Sequence, residues 1–437
     1  MHTASYQPFP LNRRVLLKSA VMSGVIMATG LSRAGKTPVL AQDRHLLVLA
    51  RQHFMPEADV FMRQQLIPDF QKATGIRVTY ETIPANDLNA RITATLERRS
   101  GPDVFQTIWN QPYLYAAGLE NLNALGTEVG VDNHYTALQD AARVDGTLRG
   151  IPYYGIGHAV TYRKDVFEEI GIRAVPETLE DYLNVGTKLK AAGWPVGQTL
   201  GHTFGDAPAF CYPLLWSFGG QEVDAQGKVA IHTDATLRAC QFLRTFWQDA
   251  CDPNGLTWDD ASNNRAFFAE TIGATLNGSS IYFAARNHPE QAPPGLADKI
   301  GHFMLPQGPA GAYSIILPLT HAIPRYSSVK DAAKEWIRFL MQKEPYESYI
   351  LVQKGYGLPA TPDWEQHPFW RQDAAIEPFR LNLKHGRHFG WAGPYDRRAS
   401  MVLVQSIVVD LFARTVKGEA PQRVLQETTE ALQTIYG

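Results

Sequence analysis

Apolar residues change their spacing several times along this chain, and each change marks an element. Leu46 to Ala50 is an unbroken apolar run of strand length. From Ala58 to Ala73, Val60, Phe61, Ile67 and Phe70 return at helical spacing before Gly75, which reads as a helix of middling quality around Pro68. Ile76, Val78 and Tyr80 then alternate with Arg77 and Thr79, giving a second strand. Leu88, Ile92 and Leu96 recur every four residues as a second helix, and Pro102 to Trp109 forms a third strand. Strand, helix, strand, helix, strand is the order of a parallel α/β sheet. Such sheets bind ligands beyond the carboxyl ends of their strands. Those ends carry Arg51 to His53, Ile83 to Asn86 and Trp109 to Gln111.

Further along, Thr178 to Ala192 and Asp234 to Gln248 read as helices, the first stopped by Gly193. Val404, Ile407, Val408, Leu411, Phe412 and Val416 form the cleanest amphipathic stripe, and Pro421 opens a last helix through Leu432. No repeat or low-complexity linker divides the chain, so composition does not separate its domains.

The N-terminus has a different grammar. Arg13-Arg14 and Lys18 precede the mostly apolar stretch Ala20 to Leu31, and Val39-Leu40-Ala41 supplies small residues for cleavage. That is a secretory signal with a twin-arginine look, cleaved after Ala41; Asn12 before the arginine pair leaves the Sec route open. Gly30 to Thr37 matches a phosphate-binding G-x-x-x-x-G-K-[ST] loop. Pro38 and the cleavage site follow at once, where the chemistry needs a strand before the loop and a helix after it.

Length and charge then narrow the class. A chain of 437 residues exceeds one ordinary core. Its 41 basic and 43 acidic residues leave no basic excess for nucleic acid. Residues 1–41 hold five of the bases and no acid, so cleavage leaves 36 bases against 43 acids, a net −7 on 396 residues. The address is basic; the exported body is acidic. Cys211, Cys240 and Cys251 are too few for a disulfide scaffold and one must lack an intrachain partner. No metal-ligand spacing and no hydrolase nucleophile motif occurs, so no metal, cofactor or catalytic residue is expected.

Several blocks together carry a family resemblance. They are Gly101-Pro102-Asp103-Val104 through Ala117 to Leu122, and Gly150 to Tyr154 followed by Tyr162 to Phe167 and Pro176 to Thr178. Pro306 to Pro309, His321 to Ile323, Ala332 to Lys334, Gly357 to Ala360 and the tail Gly418 to Leu432 follow in order. In order and spacing the chain resembles the extracellular family 1 solute-binding proteins of bacterial ABC importers, the maltose-binding-protein-like group. The resemblance implies a periplasmic-binding-protein-like α/β fold, two lobes joined by several hinge crossovers. It implies an N-lobe of 42–153 and 319–358 and a C-lobe of 154–318 and 359–437. It further implies a periplasmic monomer that closes on a sugar or polyol and hands it to membrane permease subunits, with no chemical transformation.

Candidate contacts follow from sugar chemistry, a C–H face for an aromatic ring and hydroxyls for fixed polar groups. Trp109 with Asn110 offers that pairing after the third strand, beside His53; core packing for Trp109 and helix capping for Asn110 are the plain alternatives. Tyr153, Tyr154 and His158 flank the first crossover. Asp206 stands either as a helix cap or as a carboxylate for hydroxyls. Asn277-Gly278-Ser279 is a strand-end loop, Trp258 and Asn263 bracket the densest polar run, and Trp391 sits in a glycine-rich loop. The rival expectation is an exported carbohydrate hydrolase using Asp206 with Asp259 or Asp260. Asp259 and Asp260, as chain neighbours, would point in different directions, unlike paired catalytic acids.

Overall fold

The computed structural model describes residues 44–437. The expected export signal, its expected cleavage site and the phosphate-loop look-alike lie outside the described residues. Nine strands position the site: β1 (His45–Arg51), β2 (Arg77–Ile83), β3 (Val104–Ile108), β4 (Ile151–Ile156), β5 (Ala159–Arg163), β6 (Ala274–Asn277), β7 (Ile300–Phe303), β8 (Leu317–Ala322) and β9 (Gly357–Pro359). They form two separate sheets. The larger has the order β9-β4-β8-β3-β1-β2 and the smaller β6-β5-β7.

The expected strand–helix alternation appears as β1, β2 and β3, with β1 parallel to both neighbours and Leu46 opposite Val78. The sheet is then mixed, because β8 runs antiparallel to β3 and β4, and β9 antiparallel to β4. Between β1 and β2 the helix from Pro56 to Thr74 contains a π-turn, Met62–Leu66, just ahead of Pro68. Proline withdraws one N–H and crowds the preceding turn, and the wider turn absorbs both.

Each lobe is an α/β layer around one of the sheets. The chain passes between sheets where β4 gives way to β5 at Gly157-His158, and again at Ile316, ahead of β8. The divisions expected at 153/154, 318/319 and 358/359 all cut strands of the large sheet, which keeps Tyr154 to Ile156, Leu317, Pro318 and Pro359. Gly157 is small for packing reasons, since a Cβ there would meet Leu358 at 2.6 Å and Asn382 at 3.0 Å. That is close approach of chain segments at the crossover.

In the C-lobe, Thr178 caps the helix Leu179–Ala191 in a reciprocal box with Asp181, and Thr233 caps Asp234–Ala250. These two helices pack on each other, and the second also packs on Ile407–Val416. The amphipathic stripe expected from Val404 is not one helix. Arg397–Val404 ends, Ser406 turns left-handed at φ 56°, and Ile407–Val416 begins afresh. All three cysteines are free and buried, with Cys240 inside the helix and Cys251 at its end.

Candidate functional site

The ends of β1, β4, β6, β8 and β9 converge on a small chamber between the lobes. The N-lobe wall is apolar: Phe54 after β1, Ile156 at the end of β4, Leu317 at the start of β8, and Tyr356 before β9. The C-lobe wall is polar: Asp206, Asp260, Asn277 and Ser280, with His158 on the crossover. Gly278 completes it, its missing side chain leaving room for the Tyr356 ring, which a Cβ would meet at 3.1 Å.

Asp206 begins the helix Asp206–Ser217, but its side chain is not the cap. The cap comes from Asp260. Its Oδ1 accepts from the backbone N–H of Asp206 at 2.7 Å and Gly205 at 3.3 Å, and its Oδ2 from Phe204 at 3.1 Å. The Asp206 carboxyl accepts instead from Asn263 Nδ2 at 2.7 Å. Burial pushes both acids upward, and backbone donors pull Asp260 back. Burial, and then the neighbouring Asp260 charge, hold the Asp206 carboxyl well above the usual carboxylate range. A glycosidase needs two carboxyls flanking one bond. Here both acids stand on one lobe, Asp260 is engaged by three backbone donors, and Asp259 is an exposed partner of Arg265 at 3.0 Å. The geometry gives the hydrolase expectation no support.

Outside the chamber lie two larger cavities. One, of about 270 Å3, is lined by Trp109, Asn110 and Asn86 from the N-lobe and by Thr203, Phe204 and Ser400 from the C-lobe. Trp109 adopts a left-handed backbone, φ 54°, a strained conformation for a bulky residue. Two hydrogen bonds hold it: its N–H donates to Pro318 at 3.0 Å and its Nε1 to the Phe204 carbonyl across the lobes at 2.7 Å. Asn110 does not cap the short helix after it. Its Nδ2 is buried and has no partner among the described residues. The other cavity, about 370 Å3, is lined by Gln52, His53, Phe54, Asn86, Phe204 and Asp259, among others. His53 accepts from the Met55 N–H at 2.9 Å and pairs with Gln353 at 3.0 Å, while burial and then Arg51 push its titration well down.

Other expected contacts sit elsewhere, for identifiable reasons. Tyr153 is buried beneath the sheet, stacked on Tyr349 at 5.5 Å. Tyr154 is buried as the acceptor for Arg51 at 3.3 Å. Asn263 lies behind Asp206 as its donor. Ser279 is buried next to the chamber without lining it. Trp258 packs over Gly197 and Gly201 on a separate cavity shared with His202 and Asp410. Trp391 is held by the Arg387 guanidinium, 3.7 Å from its ring centre. Phe54, Phe204 and Tyr356 were missed in sequence. Phe54 lies one residue beyond the strand end Arg51 to His53 and Phe204 two residues before Asp206, but nothing local shows that their rings meet, stacked at 6.2 Å. Among the described residues no group of three or more His, Cys, Asp or Glu is placed to hold a metal ion.

Two α/β lobes, joined by crossovers and enclosing polar and aromatic cavities, define a solute-binding fold. Residues 65–378 match the family described as bacterial extracellular solute-binding protein, and the chain belongs to it. It is 30% identical over 304 residues to the diacetylchitobiose binding protein DasA of Streptomyces coelicolor, covering 66% of this chain and 68% of that one. It is 25% identical over 325 residues to the mannitol-binding protein of Pseudomonas aeruginosa, 68% of this chain and 69% of the other. Among solved structures, maltose-bound MalE3 of T. maritima superposes with a TM-score of 0.76 at 18% identity, over 90% of this chain and 99% of that one. These relatives are binding proteins, not enzymes.

Proposed function

We propose that this protein is the periplasmic receptor of an ABC importer, capturing a carbohydrate or polyol by hinge closure and presenting it to the membrane permease. The carrying observation is the cavity of about 270 Å3 lined by Trp109 and Asn110, the latter with a buried Nδ2 that has no partner among the described residues. An indole face suits the C–H side of a sugar ring, and an unpaired buried amide gains a full hydrogen bond from a hydroxyl. Both lobes line this space, so a solute held there bridges them and favours the closed arrangement. The names of relatives that bind diacetylchitobiose and mannitol fit this solute class.

In this reading the lobes exchange at Gly157-His158, at Ile316 and in the segment after Pro359. The export signal is removed after Ala41, and the mature protein acts as a monomer without cofactor. The permease distinguishes closed from open receptor, and nothing is transformed.

A thermal-shift panel of sugars, polyols and charged metabolites tests the reading. A solute at 100 times its Kd should stabilise by about 2.7 kcal/mol. Trp109→Ala should abolish the shift, read beside the roughly 3–5 kcal/mol that truncating this buried ring costs the fold. A shift from charged metabolites alone, with none from sugars or polyols, would overturn the solute assignment.

A further inference from the structure

The cavities between the lobes are not equivalent, and their partition bears on the size of the solute. The inner chamber beside Asp206 holds only about 20 Å3. A water needs roughly 10–15 Å3 measured this way, so the chamber has room for about one water and for no sugar ring. The two outer cavities, about 370 and 270 Å3, each sit near the floor of the roughly 300–1,000 Å3 usual for small-molecule sites. They share Ala85, Asn86 and Phe204.

Phe204 is the wall common to all three spaces. Its backbone is fixed from both sides. Its N–H donates to Asp260 at 3.1 Å, and its carbonyl accepts from Trp109 Nε1 at 2.7 Å. Its half-buried ring lies on Phe54 at 6.2 Å with an interplanar angle of 24°. The same ingredients occur on either side of it. One cavity has Trp109 with the unpartnered Asn110 amide, and the other has Phe54 with Gln52 and Asp259. Asn86 belongs to both. An aromatic surface with polar groups, repeated across a shared divider, matches a ligand that itself repeats.

The geometry points to a solute of at least two linked rings, a disaccharide or short linear oligosaccharide, with one ring on each side of Phe204 and the linkage passing Asn86. This rests on the carbohydrate reading and narrows it. A single ring or an acyclic alditol fills one cavity and leaves the other wet. Phe204 is then a specificity-determining residue, setting the spacing between the two ring positions.

Titration calorimetry on the mature exported chain tests this with a matched series: hexoses, their α- and β-linked di- and trisaccharides, and a hexitol. The expected result is a disaccharide bound at least about tenfold tighter than its monomer and the hexitol, since each decade needs only modest added contact. Phe204→Ala should collapse that ratio towards one, and Phe204→Tyr should keep it. A hexose or hexitol bound as tightly as any disaccharide would overturn the two-ring inference while leaving carbohydrate capture standing. Binding by no member of the series, with a shift from some other solute class, would overturn both. If the ratio holds in the native protein but survives Phe204→Ala in a variant of unchanged melting temperature, the divider role is wrong. Should that variant fail to fold, the native series alone decides.

Discussion

The two walls of the inner chamber are built from opposite chemistry. Phe54, Ile156, Leu317 and Tyr356 on the N-lobe offer rings and branched carbons, and Asp206, Asp260, Asn277 and Ser280 on the C-lobe offer carboxyls, an amide and a hydroxyl. The difference comes from what each lobe does with its strand ends. The six-stranded sheet brings three crossover strands to this point, and their ends are packed into the core. The C-lobe brings one strand end and the starts of two helices, Asp206–Ser217 and Ser280–Asn287, and a helix start needs acceptors. The apolar wall is therefore expected to tolerate change in shape, and the polar wall to be intolerant of lost partners.

The largest effect is expected at Asp260. Asp260→Ala strands three buried backbone donors and should cost about 3 kcal/mol in urea unfolding, with Asp260→Asn costing clearly less. A loss below that of an ordinary surface change would remove the capping argument. Next comes Gly157→Ala, whose new methyl must displace Leu358 or Asn382 at the crossover. Overpacking of this kind costs about 1–3 kcal/mol, read as a lowered melting temperature, and the apolar side gives no compensating contact.

Two pH effects on the polar side should run in opposite directions. Asp206 titrates above an unfolded carboxyl, so the native state binds the extra proton and stability falls as pH rises through that window, by at most about 1.4 kcal/mol per pH unit. Asp206→Asn should flatten this loss, its advantage over the native protein growing with pH. His158 is held down to about 4 by burial, so below pH 6.5 the unfolded chain binds a proton that the folded one refuses. Stability then drains away between about 6.5 and 4, and His158→Gln should lessen that acid loss in a melting series. The smallest change is expected on the apolar wall. Phe54→Leu forfeits the stack on Phe204 for about 1 kcal/mol of stability and should leave both pH slopes untouched.

How much of this was legible depended on the kind of signal. β1 to β3 were readable because one-sided or continuous burial writes a local period. Thr178 before Asp181 was readable as a helix start for the same local reason. The helix Asp206–Ser217 is buried along its whole length, so no stripe marks its limits and Asp206 read equally as a cap or as a carboxylate for hydroxyls. The break at Ser406 was invisible because apolar spacing continues through it. At the site, Trp109, Asn110, His158, Asp206, Asn277 and Gly278 lay where strand ends and polar runs suggested. Tyr153, Tyr154, Trp258 and Trp391 carried the same residue chemistry and were turned to the core or to other surfaces.

By itself, the sequence determined the alternating α/β start, the acidic balance of residues 42–437 against five bases and no acid in residues 1–41, and the order of blocks that carries the family. All of these are written in neighbouring residues or in simple sums over them. Only the tertiary structure decided that Asp260 caps a helix beginning 54 residues earlier, that Asp206 faces Asn263, and that Phe204 lines all three cavities. Those contacts join segments far apart in the chain. Their energies depend on distance and burial, which no local period encodes.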